Sequence, residues 1–132
     1  YTLGRSSAAS DVYKRQGQSH AHPASVDSIP TSANQEDHVS MATFAARRLH
    51  EMIDNAANIV SIELLAAAQG IEFHHPRKSS DAIEQIIGRL REVSPPYTED
   101  RSLSADISRV AELVNNGTFC DNAASILPSL GA

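Results

Sequence analysis

A single cysteine, Cys120, stands in the 132-residue chain. One thiol can form neither an internal disulfide nor a cysteine-based metal cluster, and such usage suits a reducing, cytoplasmic setting. Tryptophan is absent, and three Phe and three Tyr are the only aromatic residues. An aromatic cage or a base-stacking surface is therefore not expected. Positive charge is in deficit: 11 Lys+Arg against 16 Asp+Glu leave a formal net charge of −5. That balance disfavours a nucleic-acid or anionic-membrane partner. No uninterrupted apolar run reaches the ~18 residues of a membrane span. The N-terminus has neither an initiator Met nor the apolar stretch of a signal peptide. The chain is thus expected to start partway into a reading frame and to carry no secretory leader.

What remains is globular material, 41% hydrophobic, enough for one domain at most or for one piece of a larger one. Residues 1–16 (YTLGRSSAASDVYKRQ) are mixed, small and polar, with no period of 3.6 or 2. No secondary structure is expected there. The run SDVYKRQ resembles translated adapter sequence, so residues 1–16 read as a non-native or disordered leader and 17–132 as the protein proper. Residues 17–30 read as loop, punctuated by Pro23 and Pro30.

From Ala33 to Gln69 there is no Gly or Pro, and Gly70 follows. Ser32 with Gln35 fits a capping box, and Glu36 and Asp37 place negative charge in a first turn, so a helix is expected from about Ser32 to Gly70. Ala42, Ala45, Leu49, Met52, Ala56 and Ile59 recur at helical spacing, and the run IVSIELLAAA beyond them is apolar nearly all round, which predicts burial on every side. Some 35 residues at 1.5 Å each give a rod of roughly 50 Å. A compact domain of ~100 residues has a radius of gyration of only ~13 Å. The rest of this chain cannot cover such a rod, so it should belong to a larger bundle completed by other sequence or other subunits.

Two shorter helices follow. Ser79 or Ser80 can cap a segment whose stripe is Ile83, Ile86, Ile87, Leu90 and Val93, stopped by Pro95-Pro96. Ser102 or Ser104 can cap another with Ile107, Val110, Ala111 and Val114 on one face, ended by Asn116-Gly117 in a left-handed cap. Asn122 can start a last short turn before Pro128. The expected class is all-α.

Few residues stand out chemically. The polar block Ser32–Met41 (SANQEDHVSM) opens the longest helix. Acidic residues in a first turn are ordinary helix-dipole partners, but Glu36 among amide-bearing neighbours could also hold a cationic or N–H-bearing ligand. The six histidines give no metal-site spacing: His20/His22 flank one residue, His74-His75 adjoin, and His38 and His50 are three turns apart. No metal is expected. Glu63, inside the apolar run, calls for an ion pair or polar contact. Arg47-Arg48 and Arg89/Arg91 read as solvated faces or inter-subunit pairs, and Cys120 as an inert thiol.

The block HPASVDSIPTSANQEDHVSMATFAARRLHEMIDNAANIVSIELLAAAQGIEF (His22–Phe73) closely resembles the C-terminal half of the histidine ammonia-lyase family. So do Lys78–Ser80, Tyr97–Ile107 and Ile126–Leu130. The resemblance implies a fragment of the long-helix bundle of the aromatic ammonia-lyase fold, a homotetramer of its own subunits, and conversion of L-histidine to trans-urocanate and ammonia. It also implies a methylidene-imidazolone electrophile formed from an internal Ala-Ser-Gly, which this chain lacks. The prosthetic group, the family's catalytic tyrosine and its carboxylate-binding arginine would lie in an N-terminal portion outside the chain, and the fragment alone should be inactive. Glu36 falls on the family's active-site glutamate, the candidate catalytic and substrate-binding residue. Gln35 and Asn34 fall in the same block as candidates for lining the pocket, and His38 as a supporting residue. A phenylalanine or tyrosine ammonia-lyase relative is the neighbouring alternative, and Glu36 discriminates it, since those enzymes generally do not keep this glutamate. A non-catalytic oligomerisation module is the alternative of a different class.

Overall fold

The computed structural model describes residues 2–24, 33–35 and 40–120, with only the backbone described for 2–10. Every regular element among them is helical: α1 (Thr2–His20), α2 (Ala42–Glu72), α3 (Asp81–Val93) and α4 (Ser104–Asn115). The all-α expectation holds for these residues.

The first helix departs from the sequence reading, which expects no regular structure over residues 1–16 and a loop from Gly17, whereas the helix runs on to His20. α1 has no amphipathic stripe of its own, and its order comes from lying along α2. Asn55 of α2 donates to the Tyr13 carbonyl at 2.6 Å, and Lys14 Nζ lies 3.4 Å from Glu63 Oε1. Tertiary contact of this kind stabilises helices whose intrinsic propensity is marginal. Gly17 fits here because a Cβ on it would sit 3.3 Å from the Asn55 amide nitrogen.

The long helix is shifted relative to expectation. It starts at Ala42 rather than Ser32, behind Met41, which makes no side-chain cap. Ala33 and Asn34 have φ of 55° and 72°, a left-handed backbone that no helix continues through. Asn accepts that region readily; Ala does not, so the turn is held against a local cost. At the other end the helix runs through Gly70 to Glu72. Gly70 only weakens a helix already formed, whereas Pro76 cannot be accommodated. The resulting 31-residue rod is about 47 Å long.

The core sits at the C-terminal half of that rod. Leu65 and Ala68 of α2 meet Leu90 of α3 and Val110 of α4, flanked by Leu64, Ile87, Val93 and Ile107. Burying a side chain such as Leu65 or Leu90 stabilises by roughly 1.5–3 kcal/mol. The N-terminal half differs. Phe44, Leu49, Ile53 and Val60 are 48%, 53%, 58% and 41% exposed, and the buried positions before Ser61 are Asn55 and Ala57 instead. The run after Ile59 is therefore not covered on every side by this chain: Val60 and Glu63 face outward. The rod is longer than its own polypeptide can cover, as its length requires.

The shorter helices follow their stripes. Ser80 is the N-cap of α3 in extended geometry, but the reciprocal contact comes from Glu84, whose Oε1 accepts the Ser79 N–H at 2.8 Å. Leu103, not a serine, precedes α4. The expected left-handed cap is present: Gly117 has φ 71°, its N–H reaches Val114 O at 3.1 Å and the Thr118 N–H reaches Leu113 O at 3.1 Å. That pair of bonds is a Schellman motif. The turn expected near Asn122–Pro128 lies outside the described residues.

Candidate functional site

The candidate residues fall in the segment between α1 and α2. Asn34 and Gln35 lie in an exposed turn. Glu36 and His38 lie outside the described residues, as does Ser32 of the expected capping box. The structure thus places two of the three site candidates at the surface of one turn and leaves the acid untested.

The segment is anchored at its start by Arg48. From the second turn of α2, its Nη1 donates to the His22 carbonyl at 2.9 Å. Its Nη2 donates to the Ser19 carbonyl at 3.4 Å and to the His20 carbonyl. These are carbonyls at and just past the end of α1, where a helix has no acceptors' partners of its own and carries partial negative charge. The planar guanidinium has the several donors such a site takes, and it lies 5.4 Å from the centroid of the Phe44 ring. Nearby, His20 Nδ1 is 3.5 Å from Glu51 Oε2. Arg47, its neighbour in sequence, is exposed. The solvated-face reading holds for Arg47 and fails for Arg48, and nothing in a bare Arg-Arg pair separates the two.

A second polar assembly lies at the other end of the molecule. Asp106 is fully buried and receives Arg101 Nη1 and Arg109 Nη2, the latter at 2.8 Å. The Arg101 guanidinium stacks over Tyr97 at 4.8 Å. The Tyr97 hydroxyl and Ser94 Oγ are buried without a hydrogen-bond partner, and burial pushes the Tyr97 pKa above 10.0. Arg91 grips Glu72 with two bonds of 2.7 and 2.8 Å, and Gln69 Oε1 accepts the Tyr97 N–H at 2.8 Å. Arg89 donates to the Thr118 carbonyl at 2.5 Å. Arg89 and Arg91 are therefore intramolecular ties rather than solvated charges. This assembly fastens the 94–103 connector to the ends of α2 and α4. Its charged side chains are taken up in ties between elements, which reads as architecture rather than a reaction centre.

Among the described residues no three His, Cys, Asp or Glu side chains come together as a metal site. Cys120 is exposed. Glu63 has the partner that its sequence context calls for, in Lys14, although both side chains are more than half exposed, 59% and 53%.

The model for the aromatic amino acid lyase family matches residues 7–92, and the chain belongs to that family. Among individual relatives, the histidine ammonia-lyase of Rhodospirillum rubrum is 57% identical over 104 residues, covering 79% of this chain and 20% of the relative. That of Photobacterium profundum is 55% identical over 118 residues, 87% of this chain and 23% of the relative. The crystal structure of histidine ammonia-lyase from Trypanosoma cruzi superposes with a TM-score of 0.80 at 39% identity, covering 90% of this chain and 24% of that one. The chain therefore spans between a fifth and a quarter of the length of these relatives.

Proposed function

We propose that this chain is the C-terminal part of a histidine ammonia-lyase, an enzyme that converts L-histidine to trans-urocanate and ammonia. The observation that carries the reading is the SIPTSANQEDHVSM block, together with 57% identity to a relative bearing that name. In this reading Glu36 binds the substrate's imidazole N–H. A charge-assisted hydrogen bond of that type contributes about 1.5–3 kcal/mol and fixes the ring in orientation. Elimination requires a proton to leave the β-carbon, which is weakly acidic, so orientation and electrostatics at the ring are where protein groups help. Asn34 and Gln35 border the same pocket. An imidazole-facing carboxylate also explains selectivity: opposite a phenyl ring it would be desolvated with no compensating bond.

The methylidene-imidazolone group of the family supplies the electrophile when present. Its Ala-Ser-Gly precursor does not occur in this sequence, so nothing in this chain can form it, and the residues here act on the substrate side alone. The chain by itself is expected to turn over no histidine. The exposed face of α2 would be covered in a homotetramer of the complete protein, in the cytoplasm. Residues 17–132 are the lyase portion in this proposal and 1–16 the leader; the genomic sequence upstream of Gly17 tests that boundary directly.

The activity is tested in a full-length enzyme in which residues 18–132 replace the matching segment of the Rhodospirillum rubrum relative. It should form urocanate from L-histidine, and Glu36→Gln should lower kcat/KM by about 10- to 100-fold, the kinetic equivalent of one lost charge-assisted bond. Unchanged kcat/KM would remove Glu36 from the site.

A further inference from the structure

We infer that the open face of α2 is a seam along which two copies of this chain pack antiparallel, with Leu49 of one copy against Val60 of the other. The inference takes from the reading above only that the complete protein assembles from its own subunits. The observation is a line of residues down the rod: Ala42, Ala46, Leu49, Ile53, Ala56, Val60, Glu63 and Ala67. They recur at alternating steps of four and three, and every one of them is exposed. From Ala56 to the end of the helix no other residue of α2 is exposed, so what stays open there is this line and nothing broader. α1 occupies a different side, through Arg48 and Asn55, and α3 and α4 take Leu65 and Ala68. Alternating steps of four and three are what one helix presents to another crossing it at a shallow angle. The line is about 38 Å long, so the partner it fits is itself a long helix.

The direction follows from the residues. The alternation reads the same from either end, so a copy turned end over end meets it in register about a point between Ile53 and Ala56. Leu49 then faces Val60, Ile53 faces Ala56, Ala46 faces Glu63 and Ala42 faces Ala67. Larger side chains meet smaller ones, as close packing of two helices requires, and the contact closes on itself about a two-fold axis. A parallel pair stacks like on like. Leu49 and Ile53 would hold the helices apart, the alanine layers would be left as gaps, and Glu63 would face Glu63 inside the seam. Antiparallel, Glu63 lies beside the opening turns of the other helix, its positive end. α2 has no acidic residue in its own first turn and no side-chain cap there. Lys14, 3.4 Å from Glu63, keeps the acid partnered where it borders the seam.

The test is disulfide cross-linking in the full-length grafted enzyme, with Cys120→Ser and serine at every other cysteine. Two double variants are made, Leu49→Cys/Val60→Cys and Ala46→Cys/Glu63→Cys, each with its two single variants. Positions 49 and 60 are about 16 Å apart along one helix, and a disulfide spans no more than about 7 Å between Cα atoms. Any cross-link therefore joins two copies. After mild oxidation each double variant should shift from the monomer band to twice its mass on a non-reducing gel and return on reduction, while all four single variants stay monomeric. A single variant that cross-links as readily as its double would set like against like and overturn the antiparallel register. Absence of covalent dimer from both double variants would assign the face to other polypeptide and overturn the inference outright. Urocanate formation by the unsubstituted graft reports on the histidine reading separately: a graft that turns over histidine without cross-linking defeats this inference alone, and one that cross-links without turnover defeats that reading alone.

Discussion

The two halves of α2 are stabilised by different means. Beyond Ser61 the helix packs into a core shared with α3 and α4, and the ends of those helices are tied by Arg91–Glu72, Arg89–Thr118 and the buried Asp106 cluster. Before Ser61 the helix holds α1 through polar contacts that include Arg48 to three carbonyls, Asn55 to one and Glu51 to His20. Its large apolar side chains Phe44, Leu49, Ile53 and Val60 face outward. One half is a small helical domain in miniature; the other is a surface awaiting cover. The difference leaves the N-terminal half of α2, like the Asn34-Gln35 turn before it, exposed in this chain.

Substitutions should separate the halves in order of effect. Leu90→Ala removes the side chain that joins α3 to α2 and α4, and should cost about 3 kcal/mol in urea unfolding of the dilute chain followed by circular dichroism. Leu49→Ala, the matching truncation in the exposed half, should cost less than about 0.5 kcal/mol. Equal losses would erase the comparison. Asp106→Ala should cost about 2 kcal/mol. It breaks two charge-assisted bonds, but Arg101 and Arg109 are 35% and 52% exposed and can turn to water, which trims the loss.

Gly117→Ala should cost about 1 kcal/mol, because a side chain at φ 71° is strained even though its Cβ would meet only Cys120 Sγ at 3.6 Å. Tyr97→Phe should be nearly neutral at pH 7, since it deletes a buried hydroxyl that has no partner. Its effect appears in alkali. Burial raises the Tyr97 pKa above 10.0, so the folded state holds that proton more tightly than the unfolded one. The associated stability is complete below pH 10 and is lost as pH rises through the folded-state pKa. Tyr97→Phe should flatten that alkaline decline; an unchanged slope would assign it to other groups.

The sequence made some of this visible and not the rest, for physical reasons. The stripe Ile83–Val93 is readable because packing on one face imposes a 3.6 period, and Gly117 because only a left-handed residue closes a Schellman motif cheaply. The late start of α2 was hidden because Ser32, Gln35 and Glu36 make a sound local capping pattern, which the left-handed Ala33 and Asn34 override. Gly70 misled because one glycine only weakens a helix that is already formed. α1 was missed because its order is borrowed from α2, and Arg48 because its acceptors are backbone carbonyls, which leave no trace in residue type. The candidate acid was legible through family resemblance rather than through helix-start chemistry, where acidic residues are commonplace.

Hydrogen exchange tests the central claim most directly, that the site-bearing end of this chain is a lyase surface finished by other polypeptide. Amide protection should be compared between the isolated chain and the full-length grafted enzyme. Amides of residues 61–115 should be well protected in both, while those of 42–60 should exchange quickly in the isolated chain and slow by at least about 100-fold in the complete enzyme. Protection of 42–60 that is already high in the isolated chain, or that does not rise in the complete enzyme, would contradict the account.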